Sequence, residues 1–422
     1  MKKYLNIINK EDGLIKSGLI FMVGSLLASA FNYLYHLLIG RMLGPSDYGT
    51  LGVLFSIIYI VMFSTGTFTK VLAKFTSEYN GNKNKKNIIT LFRKSTKKIS
   101  IYGFLLLIVY VIIAPLIQNF LKLDSVTGII IVGAIAYLSL INAIFQGVLN
   151  GLEMFVWQNL STVISTTLKL GLGTLLVYLG FGVNGALLGV LTGIIIGIIF
   201  AIISLFDYLF EKSANVSLDT KRIYNYIAPV FVATLISTAV ITIDHLIVKH
   251  YFSSTDSGLY AAAGMIGKII WFGSGFFAGA IFPKISKLVA TGKNPVKLLQ
   301  KSIMYTAILA VIGSTVFFIM PEFIVSLLYG VSYISIAPII GLFGLSLGIY
   351  SIIQIMVVYN LAIEKHDFIW ILLFGLVFEV IGIMNFHSNI SNVVNVLFFS
   401  NLLIMIMLLF NIKIFQGDAH EN

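Results

Sequence analysis

Three lysines and one glutamate stand inside long runs of otherwise apolar sequence: Lys70, Lys169, Lys268 and Glu379. A charge in such a run is costly to keep out of water, so each is a candidate for function. An ammonium in that setting attracts an anion such as a phosphate, which lysine meets as a point charge. Lys268, in "AAAGMIGKIIWFG", lies among small residues that leave room around it. The plainer alternative for Lys268 and Lys169 is a structural pair with Asp244 or Glu379. Lys70 lies nearer the end of its run, from where a long side chain can snorkel to the interface. Glu379, in "LLFGLVFEVIGIMN", invites either a structural pair or a carboxylate that binds a proton or Na⁺. Asp244 and His245 together have the character of a titratable pair, with interface anchoring as the alternative. Arg41, in "HLLIGRMLGPSDYG", could grip a phosphate or a sugar carboxylate, although arginine at a helix end also anchors to lipid headgroups. Asp47 in the same stretch reads as turn or N-cap chemistry.

Several chemistries have no residues to carry them. The chain has zero cysteines, so thiol catalysis, disulfides and thiolate metal sites are excluded. No phosphate-binding Gly-x-x-x-x-Gly-Lys-Ser/Thr loop occurs, and no metal-ligand spacing links the six histidines. "FGSGF" at 272–276 is a small-residue packing stretch rather than a nucleophile elbow. The chain is therefore expected to be no enzyme and to need no cofactor or metal.

The surrounding elements follow from composition. Of 422 residues, 58% are hydrophobic and 11% charged, against about a quarter charged in soluble domains. This is an all-α integral membrane chain. About 20 apolar residues span a bilayer, and segments near 17–39, 51–75, 99–120, 128–149, 158–179, 185–206, 223–250, 259–282, 302–320, 335–359, 368–385 and 392–412 meet that length. The first run lacks a small-residue cleavage site and is expected to be retained. Pro321 and "FIVSLLYG" after it leave the end of the ninth span open, with a short interfacial helix as one reading.

Charge orients these twelve spans. Assigned alternately, the loops that share a side with both termini hold 22 of the 28 Lys and Arg, and the opposite loops hold three, Arg41, Lys122 and Lys249. The positive-inside rule then places both termini in the cytoplasm. The net charge of +11 is thus a topology and headgroup signal, and no aromatic-basic platform accompanies it to suggest nucleic acid.

A repeat divides the chain. "HLLIGRMLGPSDYG" from His36 and "HLIVKHYFSSTDSG" from His245 overlay without gaps at an offset of 209 residues. His36 meets His245, Asp47 meets Asp256 and Gly49 meets Gly258; Gly66 and Phe68 then match Gly275 and Phe277. Six spans per half give both halves the same orientation, a parallel repeat about an axis along the membrane normal. The expected domains are a six-helix bundle at 1–210, a cytoplasmic linker at 211–222 and a second six-helix bundle at 223–422. Repeats of this size form two bundles around a central cavity. At the repeat offset Lys169 lands on Phe378, beside Glu379, which raises a charge pair across the axis as one arrangement. In the sixth span Gly185, Gly189, Gly193 and Gly197 leave one face free of side chains for close packing.

"RMLGPSDYGTLGVLFSI", "NGLEMF" and "LLYGVSYISIAPII" resemble the polysaccharide biosynthesis, or oligosaccharide flippase, family of the multidrug/oligosaccharidyl-lipid/polysaccharide exporter superfamily. The resemblance covers the whole chain through helix count, halves and loop polarity. It implies alternating access that flips a polyprenyl-diphosphate oligosaccharide from the cytoplasmic to the outer leaflet of the plasma membrane, for cell-surface glycan assembly. The implied partners are that substrate, membrane lipids and polysaccharide-assembly proteins. In lipid II-flipping relatives, basic residues on helices 1, 2 and 8 line the cavity, and Lys70 and Lys268 occupy comparable spans. The alternative within the superfamily is a cation-coupled multidrug antiporter. Those relatives use acidic residues in the first bundle, and the first span has none between 17 and 39.

Overall fold

Apolar runs of this length leave the backbone no water to bond, so the chain must satisfy its own amides as helix. A computed structural model describes residues 13–211, 216, 220–290, 294–363 and 365–417 and shows helices with no strand among them. Lys2, Lys3, Lys10 and Lys293, and residues 212–215 and 217–219 of the expected linker, lie outside the described residues.

The first helix, α1, runs Gly13–Gly81 and breaks at Gly44, with φ 71° and ψ 174°. Those angles are essentially reserved for glycine. Unbroken, 69 residues would reach ~100 Å, several times the hydrocarbon thickness, so the break makes two spans from one element. Next come α2 (Lys85–Phe120), α3 (Thr127–Gly151) and α4 (Phe155–Leu176). A short π turn at Val177–Phe181, with Gly180 at φ 90°, leads to α5 (Gly182–Ser204) and the single turn α6 (Phe206–Phe210). The rest comprises α7 (Thr220–Ala239), α8 (Ile243–Tyr251), α9 (Ser254–Ala290), α10 (Val296–Ile319), α11 (Pro321–Leu328), α12 (Ala337–Ala362), α13 (Phe368–Asn385) and α14 (Ile390–Gly417).

Nine described segments are long and apolar enough to cross a membrane. Two of them, Val23–Gly81 and Phe155–Ser204, have length for two crossings each. With α9 over the expected eighth span, the count reaches twelve.

Two local outcomes differ from a plain reading of hydropathy. The seventh span, expected as one helix, is broken between α7 and α8. Val240, Ile241, Thr242 and Ile243 form a β-branched run of low helix propensity, and Thr242 leaves helical geometry at φ −137°. The break places Asp244 in the first turn of α8, where the helix dipole favours a carboxylate. After α10, Pro321 starts a separate short helix, its missing N–H being no loss at that position.

The chain divides into two compact units, Met1–Met42 with Val61–Ala228, and Leu43–Ile60 with Pro229–Asn422. In the first, the glycine face of α5 lies on α4. A Cβ on Gly189 would sit 2.6 Å from the Gly173 nitrogen, and one on Gly193 would sit 2.6 Å from the Ser165 carbonyl oxygen. Ser161 Oγ donates to the Gly197 carbonyl oxygen at 2.8 Å across the same contact. The glycine stripe is thus a packing surface within one unit. Arg93, on α2, donates to the Leu209 carbonyl oxygen at 2.7 Å and ties the turn α6 to α2. In the second unit α12 is buried almost all round, as a helix with no polar face must be. Gly344 and Gly348 on α12 admit Phe317 and Ala310 of α10.

Candidate functional site

In the second unit four ionisable side chains, Asp244, His245, Lys268 and Glu379, gather in the interior. Asp244, 2% exposed, uses one carboxylate oxygen twice: Tyr260 donates its hydroxyl to it at 2.6 Å, and His245 Nδ1 lies 3.0 Å away. The other oxygen, Oδ1, has no hydrogen-bond partner among the described residues. The kink before α8 brings this carboxylate beside α9, which carries Tyr260 and Lys268.

Lys268 is 7% exposed. Its Nζ lies 5.1 Å from the ring centroid of Tyr59, a cation–π contact. Its charge also acts on Asp244. Glu379 on α13 is fully buried, and neither carboxylate oxygen has a hydrogen-bond partner among the described residues. It lies in electrostatic range of Asp244, Tyr260 and Tyr350. Tyr350 donates to the Ser237 carbonyl oxygen at 2.6 Å and receives Gln354 Nε2, which completes a polar core in an apolar unit.

The first unit holds Lys169 by neutral groups. Lys169 Nζ donates to Asn32 Oδ1 at 2.9 Å and lies 4.3 Å from the Tyr35 ring centroid. Tyr35 is fully buried and donates its hydroxyl to the Ala186 carbonyl oxygen at 2.8 Å. Gly173 makes room for that ring, since a Cβ there would meet Tyr35 Cε2 at 2.8 Å. The glycine face of α5 also lies against Lys169 itself, since a Cβ on Gly193 would sit 3.2 Å from the Lys169 Cβ.

The structure brings Lys268, Asp244, His245 and Glu379 into one neighbourhood, while Lys169 has its own setting in the other unit. Arg41 and Lys70 are exposed residues of α1. His36 is buried edge-on to Tyr35, with ring centroids 5.5 Å apart.

Asn32, Tyr35, Tyr59 and Tyr260 are site residues that charge alone did not disclose. A signal for two of them existed, because Tyr35 is 209 residues from Asp244, and Tyr59 is 209 from Lys268. Asking what stands at the repeat equivalent of each buried charge would have found both.

The model of the polysaccharide biosynthesis protein family matches residues 14–289. The chain belongs to that family. No curated protein matches this chain by sequence. Among solved structures, an inward-facing multidrug resistance MATE family transporter of the MOP superfamily is similar with a TM-score of 0.80 at 13% identity, covering 94% of this chain and 96% of that one. The lipid II flippase MurJ in an inward closed conformation gives 0.73 at 18% identity, over 94% and 87% of the two chains. A eukaryotic MATE transporter gives 0.68 at 11% identity, over 94% of each. At these identities the likeness is one of fold. It joins the family to the multi-pass, two-half architecture expected from the repeat.

Proposed function

We propose that this protein moves a lipid-linked oligosaccharide across the plasma membrane by alternating access, its termini in the cytoplasm. The observation that carries this reading is the buried ammonium of Lys268, held over an aromatic face and close to a carboxylate. A cation kept in an apolar interior is stabilised when a substrate anion arrives, and a polyprenyl diphosphate offers such a charge. Lys169 supplies a second cation for the glycan or diphosphate, and Arg41 and Lys70, exposed on α1, meet the headgroup on its way in or out. Family membership and the fold shared with a lipid II flippase support the same substrate class. The product would pass to polysaccharide-assembly proteins at the far face.

Glu379, Asp244 and His245 supply the coupling in this reading. A buried carboxyl without donors takes a proton or a small cation more readily than it stays bare. Release of that ion on one side of the membrane would change what Asp244 demands of Lys268. The drug-antiport alternative draws no support from the first unit, where Lys169 rather than a carboxylate faces Asn32 and Tyr35.

The test is reconstitution in liposomes with a fluorescent polyprenyl-diphosphate oligosaccharide, read by quenching of the outer-leaflet probe. The wild-type chain is expected to translocate it, and Lys268→Ala to slow it by about tenfold or more, the loss of roughly 1.4 kcal/mol of charge recognition. Equal rates for the two proteins, or no translocation by the wild type, would overturn the substrate reading.

A further inference from the structure

Trp271 stands where an apolar span has little reason to keep a tryptophan. The chain has three. Trp157 and Trp370 lie in the first turns of α4 and α13, at span ends where an indole suits the headgroup level. Trp271 lies deep in the eighth span, three positions after Lys268 on α9. Side chains so spaced are neighbours on one helix face. Tyr59, Lys268, Trp271, Tyr350 and Gln354 all belong to the second unit.

The packing of α9 on α12 changes character at this tryptophan. In the two preceding turns the contact is tight: a Cβ on Gly264 would meet Phe343 Cζ at 3.3 Å, and one on Gly267 would meet Leu347 Cδ1 at 3.0 Å. Trp271 takes the next position along that line, its ring centroid 6.1 Å from that of Tyr350 and the planes at 63°. The helices do not close over it. Trp271 keeps exposed surface, Phe272 beside it is 47% exposed, and a Cβ on Gly273 would meet nothing within 4 Å.

Polar groups converge on the same place. Tyr350 donates its hydroxyl to the Ser237 carbonyl oxygen at 2.6 Å and accepts from Gln354 Nε2, so two successive bonds set the direction of the Gln354 amide. That use takes one N–H and leaves the second N–H and the oxygen for a ligand. Most of α12 is buried on every side, so the exposed part of Gln354 faces interior space rather than lipid. Ser237 Oγ, buried nearby, has no hydrogen-bond partner among the described residues.

We infer that Trp271 and Gln354 form a sugar subsite beside Lys268, which takes the hexose attached directly to the diphosphate. The inference rests on the transport reading and names the part of the substrate this face recognises. A pyranose ring has an apolar face of C–H groups and a rim of hydroxyls. The indole offers a flat apolar surface to the first, and an amide, which both donates and accepts, fits two adjacent hydroxyls of the second. In a polyprenyl-diphosphate glycan the first sugar adjoins the phosphate, so its site must adjoin the cation that meets the phosphate. Lys268 and Trp271, one helical turn apart, meet that requirement. A carrier stripped of its glycan keeps the diphosphate but offers nothing to the indole, so the subsite distinguishes loaded carrier from empty.

Equilibrium binding of two radiolabelled lipids to the purified protein tests this: a polyprenyl diphosphate bearing one hexose, and the same diphosphate without it. The wild type is expected to prefer the glycosylated lipid by about tenfold. Trp271→Leu and Gln354→Leu are expected to bind the bare diphosphate as the wild type does and to lose the preference, with Trp271→Phe keeping part of it. Lys268→Met should weaken both lipids alike. An unchanged preference in Trp271→Leu, or an equal loss of both lipids there, would overturn the subsite, the second result marking a merely structural indole. A second measurement judges the subsite without the lipid. With Trp157→Phe and Trp370→Phe, Trp271 is the one indole left, and a free methyl hexoside is expected to shift its emission, the shift vanishing with Gln354→Leu. Absence of any shift refutes the subsite. Failure of the wild type to bind either lipid, with the hexoside response intact, counts against the lipid-linked substrate alone.

Discussion

Glu379 presents the sharpest energetic problem of any single side chain here. It is fully buried, and both oxygens lack a hydrogen-bond partner among the described residues. An ionised carboxylate in that state costs several kcal/mol, so a proton or a cation is expected to match its charge. Glu379→Gln keeps the shape and removes the charge. Its melting temperature in detergent is expected to equal or exceed the wild type, while the response of translocation to an imposed proton or Na⁺ gradient falls by about tenfold. Flux measured with the gradient reversed decides the point, and full retention of coupling would remove Glu379 from the mechanism. Lys169→Met tests the other unit at the same scale. It keeps the apolar stem and loses the Asn32 bond and the Tyr35 cation–π contact. The expected stability loss is small, ~1–2 kcal/mol, and translocation should fall more than stability explains. Charges such as these were legible in the sequence because each interrupts an apolar run. Their neutral holders were less plain: among 20 tyrosines only the repeat offset singles out Tyr35 and Tyr59, and nothing in the sequence singles out Asn32.

Elements were legible wherever length and polarity agreed. The turn signal at Gly44-Pro45 marks the break in α1, and the glycine stripe of α5 marks its packing face. The interruption between α7 and α8 was not seen, because Val240 to Ile243 are as apolar as any span. Hydropathy records burial, while the break depends on β-branched crowding and on the carboxylate that follows. The Gly44 break is testable on its own. At φ 71° and ψ 174° an alanine would be strained by ~1–3 kcal/mol, although a Cβ there meets nothing within 4 Å. Gly44→Ala is therefore expected to lower the melting temperature through backbone strain alone. A neighbouring exposed substitution, Ser46→Ala, should leave it unchanged. Equal melting of Gly44→Ala and wild type would show that the turn tolerates a side chain.

At the scale of the molecule, the repeat offset carried more than any motif. It anticipated two halves, and the structure adds that equivalent residues meet each other, Gly49 against Gly258 and Tyr59 under Lys268. What sequence could not supply was the regrouping of residues 43–60 with the second unit, since membership of a compact unit depends on distances that no linear pattern encodes. Orientation, in contrast, is a property of the whole charge distribution. With 22 Lys and Arg in the loops sharing a side with the termini and three opposite, the bias is too large for one or two substitutions to reverse. Two exposed positions report it in a chain without cysteine: Lys97, in the basic stretch at the start of α2, and Ser46, after the first span. In intact cells Ser46→Cys is expected to react with a membrane-impermeant maleimide, and Lys97→Cys only after permeabilisation. The opposite pattern would invert the topology and place both termini on the outer side.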